Sequence, residues 1–332
     1  MDETKCMTGI PSSNAAESLL DPQVATSGCE CSPASLGGVL VLDKPEGITS
    51  AKAAARVKKI LKARKIGHTG TLDPFATGVL VLCLDEATRV SDQIVGLEKV
   101  YSAVIYFGIE TDTQDKTGNV TGRSDRTFAQ KDLIDVLNTF SGVCVQTVPK
   151  FSAVRVGGHR LYELSRKGIE VDLPQREICI YSLELHSFAW PEAVVEVRCS
   201  KGAYIRQLAS DIGAKLGSGA HLSALRRTRV GPFTLERALK LEDDCCPASA
   251  ARSIISLNEA LLHLPAASMT DDRALGLLKN GQLESAWEEK FGRLYGAGQN
   301  PVRIVTGTNR LAALWWPDSA GGAARRLRVF PF

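Results

Sequence analysis

The sequence predicts an α+β protein, a sheet flanked by helices and followed by a small β-rich C-terminal unit. Three observations carry this. Apolar runs rich in β-branched and aromatic residues recur at Gly38–Leu42, Val79–Leu84, Lys99–Gly108, Glu177–Phe188 and Val194–Cys199, and read as strands. Segments with helical spacing lie between them. The last eighty or so residues hold short strand-like runs with turns, at Leu277–Gln282, Ala312–Trp316 and Leu327–Phe330. A chain of 332 residues with 44% apolar content is long enough for two domains and a sizeable core.

Residues 1–36 are rich in Ser, Ala, Pro and small polar residues without periodicity, the composition of a disordered extension. Cys29 and Cys31 there are too few ligands for a metal site. Structure is expected to begin at Gly37, with a buried strand to Leu42 and a turn over Asp43–Gly47. Thr49 or Ser50 caps the next helix, in which Ala54, Val57, Ile60 and Leu61 form one apolar face and Lys52, Arg56, Lys58, Lys59 and Lys62 occupy most of the rest. After the Val79–Leu84 strand, Glu86–Ile94 reads as a short helix and Lys99–Gly108 as a strand. Leu133, Val136, Leu137 and Phe140 set a helix over Phe128–Thr139. Val148–Arg155 is extended, Gly157-Gly158 breaks the chain, and His159–Lys167 reads as a basic helix. Glu177–Phe188 and Val194–Cys199 read as paired strands. A helix opens after Cys199, and Ser253–Leu264 looks helical.

The net charge of +3 and pI near 8.3 are mild, but the charge is unevenly placed. Lys44–Lys65 carries eight basic residues and one acid, Lys150–Lys167 five and one, and Arg198–Arg229 seven and one. Three such blocks can build a basic face on a nearly neutral protein. The nine cysteines include no Cys-x-x-Cys pair and no zinc spacing. Cys83, Cys144, Cys179 and Cys199 lie in strand-like runs and read as small core hydrophobes. The N-terminus lacks the apolar core of a secretory signal, and no run reaches membrane-spanning length. A reduced cytoplasmic location is expected, with no membrane association. No glycine-rich phosphate loop follows a strand, so neither a nucleotide-binding nor a metal enzyme is indicated.

The chain is organised around Gly67-His68-Thr69-Gly70-Thr71-Leu72-Asp73-Pro74-Phe75-Ala76-Thr77-Gly78. Glycine and proline make this a poor helix and a poor strand. A loop held between two packed elements is a common seat of chemistry. On composition alone, an Asp before Pro is first of all a turn former. The full dozen residues, however, closely resemble the catalytic loop of the TruB family of pseudouridine synthases, which convert one uridine in the T-loop of tRNA. Further stretches resemble that family in the same order: Gly38-Val39-Leu40-Val41-Leu42-Asp43-Lys44-Pro45, the Lys99-x-Tyr101 strand, Thr111-Asp112-Thr113-Gln114-Asp115-Lys116-Thr117-Gly118, Cys199-Ser200-Lys201-Gly202-Ala203-Tyr204-Ile205-Arg206, and Gly219-Ala220-His221 through Arg227. Ala203 departs from the threonine usual in the family. The resemblance runs from about Gly37 to about Leu241 and thins beyond it.

The resemblance implies the pseudouridine synthase fold, a mixed and mainly antiparallel central sheet flanked by helices, in a catalytic domain over 37–250. It implies an RNA-binding insertion at about 148–177 and a PUA-like RNA-binding domain over 251–332. It places the catalytic aspartate at Asp73, the base-stacking ring at Tyr101, and an arginine that orients Asp73 at Arg206. Tyr204 and Leu225 line the pocket. His68 stacks where the extruded base has left, and Lys44 supports the site from behind. Asp115 lies at the edge of the active site or contacts RNA. Lys150, Arg160, Arg226 and Arg227 are candidates for RNA contact. The reaction needs no cofactor, because no redox change or outside group is involved. The expected partner is the T-arm of tRNA, with no guide RNA and a monomeric enzyme. A non-catalytic tRNA-binding or tRNA-folding module is the alternative. Such a module would keep the basic blocks with no reason to keep Asp73, Tyr101 and Arg206 together.

Overall fold

The structure, a computed structural model, describes residues 37–241, 246–295, 300–317 and 327–332. The segment 1–36 and Cys6, Cys29, Cys31 and Cys245 lie outside the described residues.

Strand β1 (Gly38–Lys44) leads into helix α1 (Ser50–Leu61), and Thr49 is its cap, its hydroxyl accepting the Lys52 N–H at 3.1 Å. Strands β2 (Ile66–His68) and β3 (Thr77–Leu84) flank the glycine-rich loop. A six-residue 3-10 helix (Asp85–Val90) and α2 (Ser91–Val95) replace the expected continuous helix, and β4 (Lys99–Phe107) follows. Strands β5 (Ile109–Thr111) and β6 (Val120–Arg123) pair around the Thr111–Gly118 loop. Next come α3 (Gln130–Asn138) and β7 (Gly142–Thr147). In the insertion, β8 (Arg155–Val156) and β9 (His159–Arg160) form a hairpin over Gly157-Gly158, and only Leu161–Arg166 is helical, as α4. The expected basic helix is therefore shorter by its first turn, because both glycines take positive φ (58° and 85°) and turn the chain back on itself. Strands β10 (Gln175–Ala189) and β11 (Glu192–Cys199) pair as expected, followed by α5 (Ile205–Leu216), β12 (Ala220–Val230), β13 (Phe233–Thr234) and β14 (Leu239–Lys240).

The C-terminal part comprises α6 (Pro247–Arg252), β15 (Ile254–Ile255), α7 (Leu257–Ala260), β16 (Ala266–Met269), α8 (Asp272–Lys279), α9 (Ser285–Tyr295), β17 (Val302–Thr306), β18 (Leu311–Trp315) and β19 (Leu327–Val329). Two expectations are corrected here. Leu277–Gln282 was expected as a strand, but Leu277 and Leu278 lie in α8, which Asp271 caps by accepting the Ala274 N–H at 2.7 Å. Ser253–Leu264 is not one helix. Ile254-Ile255 is drawn into the large sheet by pairing with β1, so only Leu257–Ala260 coils.

The large sheet runs β14-β1-β3-β12-β4-β11-β10-β7, with β13 beside β12, β15 beside β1 and β2 beside β3. All its pairs are antiparallel except β1–β14 and β3–β12. The unbroken apolar runs of β1 and β3 follow from burial on both faces. Leu40, Leu42, Leu80 and Leu82 share a core with Ala53, Ala54 and Val57 of α1, Leu133 and Leu137 of α3, and Leu208, Ile212 and Leu216 of α5. The alternating Val39, Val41, Val79, Val81 and Cys83 point to the other face, where Leu261, Leu264, Leu311, Leu314 and Phe330 cover them. The C-terminal strands form a four-stranded sheet, β16-β17-β18-β19, whose own core contains Met269, Leu278, Phe291, Ile304 and Trp315. Because β15 pairs with β1, the large sheet reaches past residue 250 and the small sheet starts at Ala266. The described architecture is thus the expected mixed, mainly antiparallel sheet flanked by helices with a smaller β-rich C-terminal part.

Candidate active site

The loop between β2 and β3 is fastened at every second or third residue. Thr69 N–H donates to Val81 O at 3.0 Å. The Ser50 hydroxyl, in the first turn of α1, donates to Leu72 O at 3.0 Å and accepts from Leu72 N–H at 2.8 Å. Pro74 O accepts from Gly47 N–H at 2.8 Å and from Lys44 Nζ at 3.3 Å. Leu72, Phe75 and Ala76 are buried in the core that α1 and α5 share. With those side chains turned inward, the Asp73 carboxylate is turned outward, and 35% of the Asp73 side chain is open to solvent.

Arg206, in the first turn of α5, holds that carboxylate with a fork. Its Nε lies 2.9 Å from Asp73 Oδ2 and its Nη2 3.4 Å from Oδ1. The guanidinium also donates to Thr113 O at 2.7 Å and to Phe151 O at 2.9 Å. A second carboxylate, Asp115, faces it at 3.7 Å. Asp115 is buried, and its Oδ1 accepts from Thr113 Oγ1 at 2.8 Å, Thr117 N–H at 2.9 Å and Thr117 Oγ1 at 2.5 Å. One arginine therefore joins the Asp73 loop, the Thr111–Gly118 loop and the start of the insertion. Planar, multivalent donation of this kind is what a guanidinium supplies and an ammonium does not.

Opposing influences act on Asp73, and burial is the largest. Burial pushes its pKa above the ordinary value and the Asp115 charge adds to this, while the charge and hydrogen bond of Arg206 and the charge of Lys44 pull it down. The net direction is upward, so burial outweighs the two cations.

Tyr101, on β4, is buried and sits directly across from Arg227 of β12. Leu225, two residues before Arg227, lies across from Ala103 and packs in the same core as Tyr101 and Leu72. Tyr204 is the residue before α5. Its backbone is locked by Gln146, which accepts from Tyr204 N–H at 2.8 Å and donates to Tyr204 O at 2.9 Å. His68 ends β2 with its Nδ1 buried and without a hydrogen-bond partner among the described residues. Burial, then the charge of Arg227, lowers its pKa, so the ring is neutral at pH 7.

The basic residues expected at the site fall in different surroundings. Lys44, expected to support the site from behind, is fully buried. Its Nζ donates to Pro45 O at 2.8 Å, Ile48 O at 2.7 Å and Pro74 O at 3.3 Å, so it braces the loop from beneath. Burial brings its pKa down to about 8, against the charges of Asp73 and Glu46. Arg227, expected to meet RNA, is 2% exposed, and its Nε donates to Val79 O at 2.7 Å. Arg226 points to the opposite face, as strand alternation requires. It pairs with Asp43 at 2.8 Å while keeping 40% of its side chain exposed. Lys150 and Arg160, on the insertion, are exposed.

Sequence reasoning missed the roles of Ser50 and Gln146 and gave Asp115 two alternatives. The place of Ser50 at the start of the helix was legible, but its bond to a residue 22 positions away was not. Gln146 carried no signal at all. Among the described residues no cluster of His, Cys, Asp or Glu is arranged to hold a metal ion, and no helix is long and apolar enough to cross a membrane.

Solved structures share this fold. A crystal structure of a Cbf5–Nop10–Gar1 complex matches with a TM-score of 0.64 and 28% identity, covering 88% of this chain and 84% of that one. A structure of an H/ACA RNP bound to a substrate RNA containing 2′-deoxyuridine matches with a TM-score of 0.64 and 26% identity, covering 90% and 86%. The family model for the N-terminal domain of TruB family pseudouridylate synthases matches residues 58–205, and that for the C-terminal domain of tRNA pseudouridylate synthase B matches residues 206–244. Fold and sequence together define an RNA-modifying isomerase, a pseudouridine synthase. Among full-length relatives, tRNA pseudouridine synthase B of Syntrophobacter fumaroxidans is 49% identical over 297 residues, covering 88% of this chain and 97% of its own. That of Bordetella parapertussis is 48% identical over 227 residues, covering 68% and 93%. The chain belongs to the TruB family of tRNA pseudouridine synthases.

Proposed function

We propose that this enzyme isomerises the T-loop uridine of tRNA, uridine-55, and that Asp73 is its catalytic carboxylate. In the reaction the N1–C1′ bond of the uridine breaks, the freed uracil turns, and a C5–C1′ bond forms. C5 gives up one proton and N1 gains one, so no atom or electron enters or leaves. A carboxylate that attacks the substrate or stabilises the cleaved sugar is required, together with a site that excludes water while the base is free. The observation that carries the reading is the Arg206 fork on Asp73. It fixes a partly open carboxylate in one orientation with three loops closed around it.

In this reading the uridine is flipped out of the T-loop, and the Tyr101 ring supplies the π-face that replaces its lost stacking. Leu225 and Tyr204 close the pocket. The neutral His68 ring stacks in the place that the base has left. The backbone of the T-arm runs over Lys150, Arg160 and Arg226, on surfaces whose cations displace counterions from phosphate. The domain over 37–250 carries the chemistry, with its insertion at 148–177 touching the site through Phe151 O. The part over 251–332 adds RNA contacts. The enzyme selects tRNA without a guide RNA and acts as a monomer in the cytoplasm.

The test is pseudouridine content of an unmodified tRNA transcript after incubation with wild-type protein and with Asp73→Asn, without cofactor or metal. The wild type converts one T-loop uridine and Asp73→Asn converts none while binding the transcript with near wild-type affinity. Equal conversion by both proteins, or conversion outside the T-loop, overturns the assignment. If both bind without converting, the chain is a tRNA-binding or tRNA-folding module.

A further inference from the structure

A buried cation without a carboxylate partner calls for an explanation, because removing a charge from water is expensive unless something compensates. Arg227 is such a cation. It is 2% exposed, and among the described residues no acid forms an ion pair with it. Its compensation comes from backbone carbonyls: Nε donates to Val79 O at 2.7 Å and Nη2 to Gly70 O at 3.0 Å. Gly70 lies in the loop before Asp73 and Val79 in β3 after it, so the two carbonyls flank the Asp73 loop.

Three further features converge on the same residue. In the parallel pairing of β12 with β3, Arg227 lies against Gly78, the last residue of the loop. Gly78 has φ of +99°, and a Cβ there would come within 2.2 Å of Arg227 O, so only glycine permits this approach. On its other side Arg227 is registered with Tyr101, and its guanidinium carbon is 6.0 Å from the centre of the Tyr101 ring. The β12–β4 ladder is irregular immediately after it, between Arg227 and Arg229. An extra residue at that point re-aims the neighbouring side chains, a use of bulges that recurs beside active sites.

We propose that Arg227 is a positioning residue for the isomerisation, one that sets the ring and hydroxyl of Tyr101 against the Asp73 loop by holding both flanks of that loop and the tyrosine with a single guanidinium. The proposal rests on the reading above in which Tyr101 stacks on the target base. The backbone of β12 already joins β3 to β4; the guanidinium adds a side-chain link from the Asp73 loop to the face of the Tyr101 ring. The charge has a second effect. Burial raises the Tyr101 pKa, while the charge and hydrogen bond of Arg227 oppose the rise.

The experiment is a double-mutant cycle in single-turnover conversion of the tRNA transcript, with wild type, Arg227→Gln, Tyr101→Phe and the double variant, alongside Arg227→Lys and Asp73→Asn. Transcript affinity and melting temperature are measured for each. Arg227→Gln is expected to slow the single-turnover rate by about 100-fold, the cost of a displaced reacting group, with affinity changed less than about threefold. In the Tyr101→Phe background the same change is expected to cost clearly less than in the wild type, because the hydroxyl that Arg227 positions is gone while the ring remains. Arg227→Lys keeps the charge without the fork and is expected to recover part of the rate. An equal slowing by Arg227→Gln in both backgrounds overturns the proposal and leaves Arg227 a purely structural clamp. So does a wild-type rate in Arg227→Gln. Should Arg227→Gln not fold, the cycle is run with Arg227→Lys, and additivity with Tyr101→Phe has the same meaning. Failure of the wild type itself to convert the transcript overturns the parent reading instead, and conversion lost only in Asp73→Asn leaves that reading standing.

Discussion

Arg206 approaches Asp73 side-on, with Nε 2.9 Å from Oδ2 and Nη2 3.4 Å from Oδ1 across 133 residues of sequence. The arginine is nearly buried, with 5% of its side chain exposed, whereas the aspartate keeps 35%. The pair is asymmetric: the cation is part of the protein interior and the anion faces outward. An anion held in this way is oriented without being covered.

This asymmetry predicts a pH dependence. In the proposed reaction the ionised form of Asp73 is required, and its pKa lies above the ordinary carboxylate value. Activity is therefore lost as pH falls through a point above that of a solvated aspartate. Arg206→Gln removes the charge that opposes the rise, so the acid limb moves to higher pH, and the maximal rate also drops by about 100-fold because the carboxylate is no longer oriented. Arg206→Lys keeps the limb nearer its wild-type position but still loses rate, since an ammonium cannot make the fork. Single-turnover rates between roughly pH 5 and pH 9 read both quantities. An unmoved acid limb in Arg206→Gln would remove Asp73 as the titrating group.

Tyr101 separates stacking from hydroxyl chemistry. Tyr101→Leu removes the π-face and is expected to stop conversion, because base–aromatic stacking is worth about 1–3 kcal/mol per base. Tyr101→Phe keeps the face and retains part of the rate. Full activity in the leucine variant would show that the ring does not carry the flipped base.

The two adjacent arginines of β12 are expected to behave differently toward salt. Arg226 is partly exposed and Arg227 is not. Arg226→Ala is expected to weaken transcript binding and to lower the slope of log affinity against log salt by about one phosphate contact. Arg227→Ala is expected to leave that slope unchanged. Binding titrations at several salt concentrations decide the matter, and equal slope changes would place both side chains on the RNA face.

Lys44 and Gly78 are expected to show their roles in stability. Lys44→Met leaves the carbonyls of Pro45, Ile48 and Pro74 without their shared donor, at a cost of about 1–3 kcal/mol. Gly78→Ala forces a Cβ to within 2.2 Å of Arg227 O in a conformation with φ of +99°. The loop then shifts or the strand pairing opens, and either displaces Asp73. Denaturant unfolding measures the first change. Melting temperature together with conversion rate measures the second, which is expected to lose both.

Legibility in the sequence followed the range of the interactions. The strands of the large sheet were readable because burial on both faces makes β1 and β3 continuously apolar, a signal contained within each segment. The Thr49 cap was readable because capping is completed within four residues. By contrast, Leu277-Leu278 looked like the start of a strand, since two apolar residues before a turn fit either period, and Asp271 upstream decided for a helix. Ile254-Ile255 looked helical because nothing local reveals that β1 offers it an edge.

By itself the sequence determined the family and singled out the loop and residues proposed for the chemistry, since Asp73, Tyr101 and Arg206 lie in contiguous motifs whose wording is specific. Only the tertiary structure decided which way each cation faces. Lys44, Arg206, Arg226 and Arg227 are equivalent as letters, four basic residues in basic blocks. The fold makes Lys44 and Arg227 internal braces, makes Arg206 a clamp on Asp73, and leaves Arg226 at the surface. The physical reason is that a charge buries only where carbonyls or carboxylates from distant segments surround it, and those neighbours are supplied by sheet register and loop packing.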